Sequence, residues 1–198
     1  MDEAGLAGAL ERYGLRFGLR RISPGDEAAF GLTAALPERR RASGAARIVA
    51  RRLLGEIGFD ADAPLNKGAS GAVIWPEGAI GSLAHDETCA CALVGRRGGV
   101  IGVGVDIEPA EPLPADLVEF VLHGDERRHA TTPAGRLVFA AKEAVYKAIH
   151  SLDATPLEYA DIAVDLEAGR ATLADGRGLA LVCAVSDRVV AAAIFLGS

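Results

Sequence analysis

Two short segments hold most of the side chains that could do chemistry together. The first is Gly102-Val103-Gly104-Val105-Asp106-Ile107-Glu108-Pro109, and the second is Phe139-Ala140-Ala141-Lys142-Glu143-Ala144-Val145-Tyr146-Lys147; together they offer three carboxylates and two lysines. Hard oxygen ligands that leave room for water and phosphate suit Mg²⁺. Ammonium groups beside them suit a polyphosphate, so the combination points to phosphoryl-group chemistry. Side chains alternate along a strand, which puts Ile101, Val103, Val105 and Ile107 on one face and Gly102, Gly104, Asp106 and Glu108 on the other. The first face reads as core. The second is stripped by two glycines, a mark of close approach by a ligand or another backbone. It ends in two carboxylates that repel unless something positive sits between them. Taken alone, this segment also reads as an acidic strand end in water. No third glycine follows and no helix opens here, so a nucleotide-binding glycine fingerprint is excluded.

The second segment has helical spacing. Leu137, Ala141, Ala144, Val145 and Ala148 form an apolar stripe, and Phe139, Glu143, Tyr146, Lys147 and His150 share the opposite face. Glu143 and Lys147 fit a solvated i,i+4 ion pair worth about 0.3 kcal/mol. They equally fit a site in which Lys142 and Lys147 grip a phosphate while Glu143 supplies a third metal ligand. A second basic feature is a helix carrying Arg39, Arg40, Arg41, Arg47, Arg51 and Arg52, where Arg40, Arg47 and Arg51 can line up on one face. In an acidic chain this is a local positive patch suited to phosphates, or a solvated amphipathic face. One stripe in a chain of net charge −6 lacks the wide basic surface of a nucleic-acid binder. Cys89 and Cys91 read as small buried hydrophobes rather than zinc ligands, because their spacing is shorter than the usual zinc pair. His85 sits in a turn after Gly81-Ser82, where it can contact an anion; His123, His129 and His150 read as surface residues.

The elements that must position these groups follow from periodicity. Arg40 to Leu54 and Leu137 to His150 are helices, and Leu117 to His129 is a weaker one. Ala79 to Leu83, Ala90 to Val94 and Val100 to Ile107 are strands, as are Ile162 to Leu166 and Ala171 to Leu173. Leu179 to Val185 and Val189 to Leu196 form a hairpin about Ser186-Asp187-Arg188. Helices and strands interleave without strict β-α-β alternation, so the class is α+β. The interval Ala61 to Gly81 is rich in Gly and Pro yet holds Leu65, Val73, Ile74 and Trp75, which fits an ordered functional loop. At 198 residues, half of them hydrophobic, the chain is long enough for a packed core in one domain or two intimately joined small ones. The acidic start Met1-Asp2-Glu3 lacks the pattern of a signal peptide, and no apolar run reaches the ~20 residues of a membrane span. Three cysteines give no disulfide framework. The expectation is a soluble cytoplasmic protein.

At this point the residues match a family. Val103-Gly104-Val105-Asp106-Ile107-Glu108 followed by Phe139-Ala140-Ala141-Lys142-Glu143-Ala144-Val145-Tyr146-Lys147 resembles the paired signature of the 4′-phosphopantetheinyl transferases. The likeness is closer to the enterobactin-synthase type, used with siderophore, nonribosomal-peptide and polyketide carrier proteins. Arg39 to Arg47, Trp75-Pro76 ahead of Gly81-Ser82-Leu83-Ala84-His85, and Pro156-Leu157-Glu158-Tyr159 extend it. The resemblance implies a single domain over residues 1–198, built as two similar α+β halves (about 1–100 and 101–198) in a pseudo-two-fold arrangement with the active site between them. It implies transfer of phosphopantetheine from coenzyme A to a carrier-protein serine, with adenosine 3′,5′-bisphosphate leaving. Asp106, Glu108 and Glu143 would hold Mg²⁺, with Asp106, Glu143 and Lys147 as the catalytic set and Glu143 able to take the serine proton. Arg39, Arg47, Lys67 and His85 would hold the nucleotide end of coenzyme A, Lys142 and Lys147 its diphosphate, and Leu157 would lie near the pantetheine arm. A monomer is implied, with an acidic helical carrier protein as partner.

Some positions depart from the family pattern. Ala84 stands where a hydroxyl residue is usual, and Asp86 where Ser or Cys is common, which sets a negative charge near the phosphates. Ala42 replaces a usual acid, Ala140 a usual small hydroxyl residue, and Val73-Ile74 occupy a stretch where proline is common. Two other readings compete with an active transferase. One is a noncatalytic coenzyme A-binding or carrier-docking protein that keeps the fold; the other is a Mg²⁺-dependent phosphohydrolase using the same acids.

Overall fold

Asp2 opens the first helix, its Oδ1 accepting the Gly5 amide at 2.9 Å, and α1 (Glu3–Glu11) buries Leu6 and Leu10. The computed structural model describes residues 2–30, 36–68, 71–153 and 156–197. After α1 come β1 (Leu15–Arg21), a 3-10 turn (Asp26–Phe30), and α2 (Pro37–Glu56), which starts on a proline. Then follow β2 (Ala79–His85), β3 (Cys89–Arg96), β4 (Val100–Pro109), α3 (Ala115–Val121) and α4 (Pro133–Asp153). The chain closes with β5 (Ile162–Asp165), β6 (Arg170–Leu173), β7 (Gly178–Val185) and β8 (Arg188–Leu196).

The strands form two antiparallel sheets, one in the order β1-β3-β2 and one in the order β4-β8-β7-β6-β5. Each sheet carries one long helix. On the first, Val49, Ala50, Leu53 and Leu54 of α2 cluster with Ala92 and Val94 of β3. On the second, Ala141, Ala144, Val145 and Ala148 of α4 cluster with Ala191 and Ala193 of β8. A third cluster joins the two sheets: Ile80, Cys91 and Leu93 pack with Val103, Val105, Ile107, Val190 and Ile194. The α+β class expected from the sequence is the class observed. Cys89 and Cys91 lie in this shared core, as their spacing suggested.

Val103, Val105 and Ile107 form the core face of β4, as alternation required, although an irregularity between Val100 and Gly102 leaves Ile101 half-buried. The glycines on its other face serve a backbone. A Cβ on Gly104 would stand 1.8 Å from the Ala144 carbonyl oxygen, and one on Gly102 would stand 2.9 Å from that of Ala148. The two glycines let α4 lie directly on β4.

The helix expected over Leu117 to His129 is shorter. It ends at Val121, because Leu122 and His123 are extended and Gly124 takes a positive φ of 53°. A separate 3-10 turn, Gly124–His129, follows and is capped by Glu126, which accepts the His123 amide at 2.9 Å. In the loop before β2, Lys67 pairs with Val73, and the Ile74 amide donates to the Asn66 carbonyl at 2.8 Å. Its Ala69 and Ser70 lie outside the described residues. The loop is anchored by Trp75, whose ring fills the space a Cβ on Gly81 would need, 2.6 Å away. Among the described residues no helix is long and apolar enough to cross a membrane.

Candidate active site

Close packing of α4 on β4 brings the two sequence segments into register. One turn beyond the Gly104–Ala144 contact, Lys147 Nζ donates to Asp106 Oδ1 at 2.6 Å and to the Val105 carbonyl at 3.0 Å. The Val105 amide in turn donates to Ser82 Oγ at 3.1 Å, so a residue of β2 fastens the same residue from the other sheet. The i,i+4 pairing of Glu143 with Lys147 is not used: Glu143 Oε1 accepts the Tyr159 hydroxyl at 2.6 Å instead. Glu108 Oε2 pairs with Arg136 at 3.2 Å.

Asp106 and Glu108 are held in an environment that disfavours their charge. Burial lifts the Asp106 carboxyl above its ordinary range despite Lys147, with Glu143 adding repulsion. Burial and the neighbouring Asp106 push Glu108 up to about 7, against the pull of Arg136. Burial and its bond to Glu143 raise the Tyr159 hydroxyl, which therefore stays a proton donor at neutral pH. Asp106 Oδ2 is buried and has no hydrogen-bond partner. An orphaned anionic oxygen beside two further carboxylates fits a hard cation. Among the described residues no three such side chains converge on one point as they stand. Lys147, Arg136 and Tyr159 each engage one of them.

A cleft of about 820 Å³ opens beside this cluster, and it brings together Arg47, Lys67, His85 and Lys147, with Tyr146 and Trp75 also in its wall. Arg47 is 2% exposed; its Nε donates to the Leu65 carbonyl at 2.8 Å and its NH1 to Ser43 Oγ at 2.5 Å, while NH2 is buried without a partner. Burial, with the charges of Lys147 and Arg39, lowers the pKa of His85. Arg39, exposed in the first turn of α2, is outside the cleft wall, yet its charge reaches His85. The arginine stripe is otherwise used locally: Arg41 faces Glu27 at 3.4 Å, Arg51 donates to the Asp62 carbonyl at 3.2 Å, and Arg52 faces Glu56 at 3.8 Å. A second, more apolar pocket of about 700 Å³ lies across α4, lined by Glu143, Leu157, Phe120, Tyr159 and again Tyr146. Two pockets thus flank the helix face that carries Glu143, Tyr146 and Lys147.

Lys142 is a correction. Expected to hold a diphosphate, it is fully buried, and its Nζ is taken up by Glu126 Oε2 at 2.7 Å and the carbonyls of Val121 and Tyr159 at 2.8 and 3.0 Å. An ammonium with its three donors satisfied inside the protein has none left for a phosphate. The negative charge expected from Asp86 is also changed, since Arg188 Nε stands 2.5 Å from its Oδ2.

Sequence reasoning gave no role to Tyr159, Arg136, Ser82 or Arg188. Arg136 lies seven residues before Glu143, two helical turns along the same face, so helical spacing could have found it. Tyr159 lay within a quoted motif without a chemical role. Ser82 likewise lay within the Gly81-Ser82-Leu83-Ala84-His85 motif without a chemical role, and Arg188 lay in the expected hairpin turn with no signal of its chemistry.

Residues 26–95 match the family described as the 4′-phosphopantetheinyl transferase N-terminal domain, and residues 102–193 match the 4′-phosphopantetheinyl transferase superfamily. The 4′-phosphopantetheinyl transferase Svp of Streptomyces mobaraensis is 35% identical over 156 residues, covering 74% of this chain and 63% of the relative. The 4′-phosphopantetheinyl transferase PptT of Mycobacterium tuberculosis (strain ATCC 25618 / H37Rv) is 35% identical over 152 residues, 74% of this chain and 66% of the relative. Enterobactin synthase component D of Salmonella typhi is 35% identical over 112 residues, 52% of this chain and 45% of the relative. The chain spans less than two thirds of the length of these relatives.

Proposed function

The chain belongs to the 4′-phosphopantetheinyl transferase superfamily, and from that premise we propose that it transfers the 4′-phosphopantetheine arm of coenzyme A to a serine of an apo carrier protein. What supports this reading most is the meeting of a cationic cleft and an apolar pocket at one face of α4, with Lys147 in the first, Glu143 in the second and Tyr146 in both. Coenzyme A has matching parts: a phosphate-rich nucleotide end and an uncharged arm.

Arg47, with its unpartnered NH2, would meet the nucleotide phosphates together with Lys67 and His85, while Arg39 adds charge at the rim. Lys147 would turn from Asp106 to the diphosphate, and Leu157 would line the path of the arm. The serine Oγ forms a bond to the phosphorus that carries the arm, and the bond to the oxygen of adenosine 3′,5′-bisphosphate breaks. The serine proton passes to Glu143, directly or through a water, and the Tyr159 hydroxyl keeps that carboxylate oriented. Asp106, Glu108 and Glu143 would hold Mg²⁺, and the orphaned Asp106 Oδ2 is the point in its favour. When bound there, Mg²⁺ would neutralise diphosphate charge and polarise the attacked phosphorus.

We place the carriers among the peptidyl, aryl or acyl type of siderophore, nonribosomal-peptide or polyketide synthesis, and the chain in the cytoplasm as a monomer. The test is intact-protein mass spectrometry of an apo carrier incubated with the chain, coenzyme A and Mg²⁺. The expected result is a gain of one phosphopantetheine unit that vanishes with EDTA and collapses in Glu143→Gln, while coenzyme A binding survives in that variant. No gain across peptidyl, acyl and siderophore-type carriers, with the chain folded, would leave the noncatalytic coenzyme A-binding alternative.

A further inference from the structure

Two tight turns from different sheets meet directly after His85, a residue of the cationic cleft wall. Asp86 forms one, between β2 and β3: its Oδ1 accepts the amides of Thr88 and Cys89, both at 2.7 Å, which fixes the turn. Arg188 leaves the other, between β7 and β8, and crosses to it. Its Nε stands 2.5 Å from Asp86 Oδ2, its NH2 donates to Thr88 Oγ1 at 2.5 Å, and its NH1 donates to the Asp187 carbonyl at 2.9 Å. The Asp86 side chain is only 6% exposed and that of Arg188 18%, so the pair is largely out of water. Asp86 is the residue next to His85, and Arg188 is the antiparallel partner of Pro109, next to Glu108. Unpaired, the carboxylate would set its negative charge beside both.

We propose that Arg188 is a positioning residue for the anionic substrate: paired with Asp86 across the two sheets, it cancels a buried negative charge beside His85 and Glu108. The inference rests on coenzyme A being the ligand of the cleft. It also accounts for an acid at position 86, so near residues assigned to phosphates. The charge is matched by a cation 102 residues away in sequence. A lone carboxylate at this edge would repel phosphates through a partly desolvated path, where Coulomb energy is much larger than in water. Breaking one partner of a buried pair leaves that charge uncompensated, whereas removing both does not.

The experiment is a double-mutant cycle on the full chain with Arg188→Gln, Asp86→Ser and the two combined, plus Arg188→Lys. Coenzyme A affinity is measured by calorimetry and transfer by steady-state kinetics. Arg188→Gln should weaken coenzyme A binding and raise its KM on the order of tenfold with kcat within about twofold. Asp86→Ser, which leaves the cation alone, should bind at least as tightly as the parent, the double variant, with neither charge, should bind within about twofold of the parent, and Arg188→Lys should recover part of the loss. If Arg188→Gln does not fold, the double variant must still fold and bind as the parent does. Unchanged affinity in a folded Arg188→Gln protein overturns the inference. So does a double variant as weak as Arg188→Gln, because loss of the tether alone would then be enough. A parent chain that binds no coenzyme A refutes the proposed function instead, and the inference falls with it by a separate result.

Discussion

Replacing Lys142 with methionine separates the two uses of that residue, a phosphate ligand as its motif implies or an internal cation as the packing requires. Methionine keeps most of the volume and the unbranched stem but removes Nζ. Glu126, only 8% exposed, would lose its ion-pair partner at 2.7 Å and keep only the amides of His123 and Val164 at 2.9 and 2.8 Å. The carbonyls of Val121 and Tyr159 would lose a donor as well. Removing one partner of a buried pair costs about 3–5 kcal/mol. In a domain of this size each kcal/mol moves Tm by about 2–4 °C, so the expected fall is roughly 6 to 20 °C. Scanning calorimetry measures it, and a Glu126→Gln/Lys142→Met variant should regain a large part of the loss, since no buried charge is then left alone. Coenzyme A affinity, measured below the new Tm, should stay within about twofold of the parent. A variant with the parent's Tm and a loss of binding on the order of tenfold would refute the reasoning and return Lys142 to the phosphates.

Three further outcomes follow from the same geometry. Tyr159→Phe should keep the parent's Tm, because Lys142 uses the Tyr159 carbonyl and not its ring, yet lower kcat about tenfold with little change in KM; steady-state transfer kinetics checks it, and an unchanged kcat would remove the role of that hydroxyl. Gly104→Ala should destabilise the chain by about 1–3 kcal/mol or more, as judged by denaturant unfolding, and lower transfer as well, because its Cβ would stand 1.8 Å from the Ala144 carbonyl and push α4, with Glu143 and Lys147, off β4. The pKa of His85 lies below its ordinary 6.5 in the folded chain, so below that pH the unfolded chain binds more protons and stability falls with acidification. His85→Asn should lose part of the drop in Tm seen between about pH 7 and pH 5.5, and phosphates bound beside the ring should favour the imidazolium, so coenzyme A binding should take up protons in the parent and not in the variant, which calorimetry in buffers of different ionisation enthalpy reads directly.

Periodicity alone located α4, α2, β4 and the β7–β8 hairpin, since each has a one-sided apolar pattern that only one local geometry can bury. The chemistry of Asp106, Glu108, Glu143 and Lys147 was likewise present in residue types and spacing. The arrest of the helix after Val121 was not, because nothing local outweighs the apolar run until Gly124 takes its positive φ. Only the tertiary structure decided which of two adjacent lysine and glutamate positions faced the site. Neighbours on a helix point about 100° apart, so with α4 seated on the two glycines of β4, Glu143 is partly exposed at the pocket while Lys142, which also borders it, is fully buried with its ammonium turned to internal partners. It also decided the partners: Lys147 with Asp106, Lys142 with Glu126, Arg136 with Glu108, Arg188 with Asp86. A side chain's charge and hydrogen-bonding capacity belong to the residue. Which opposite group satisfies them depends on which elements pack within a few ångströms, and no local sequence pattern carries that distance.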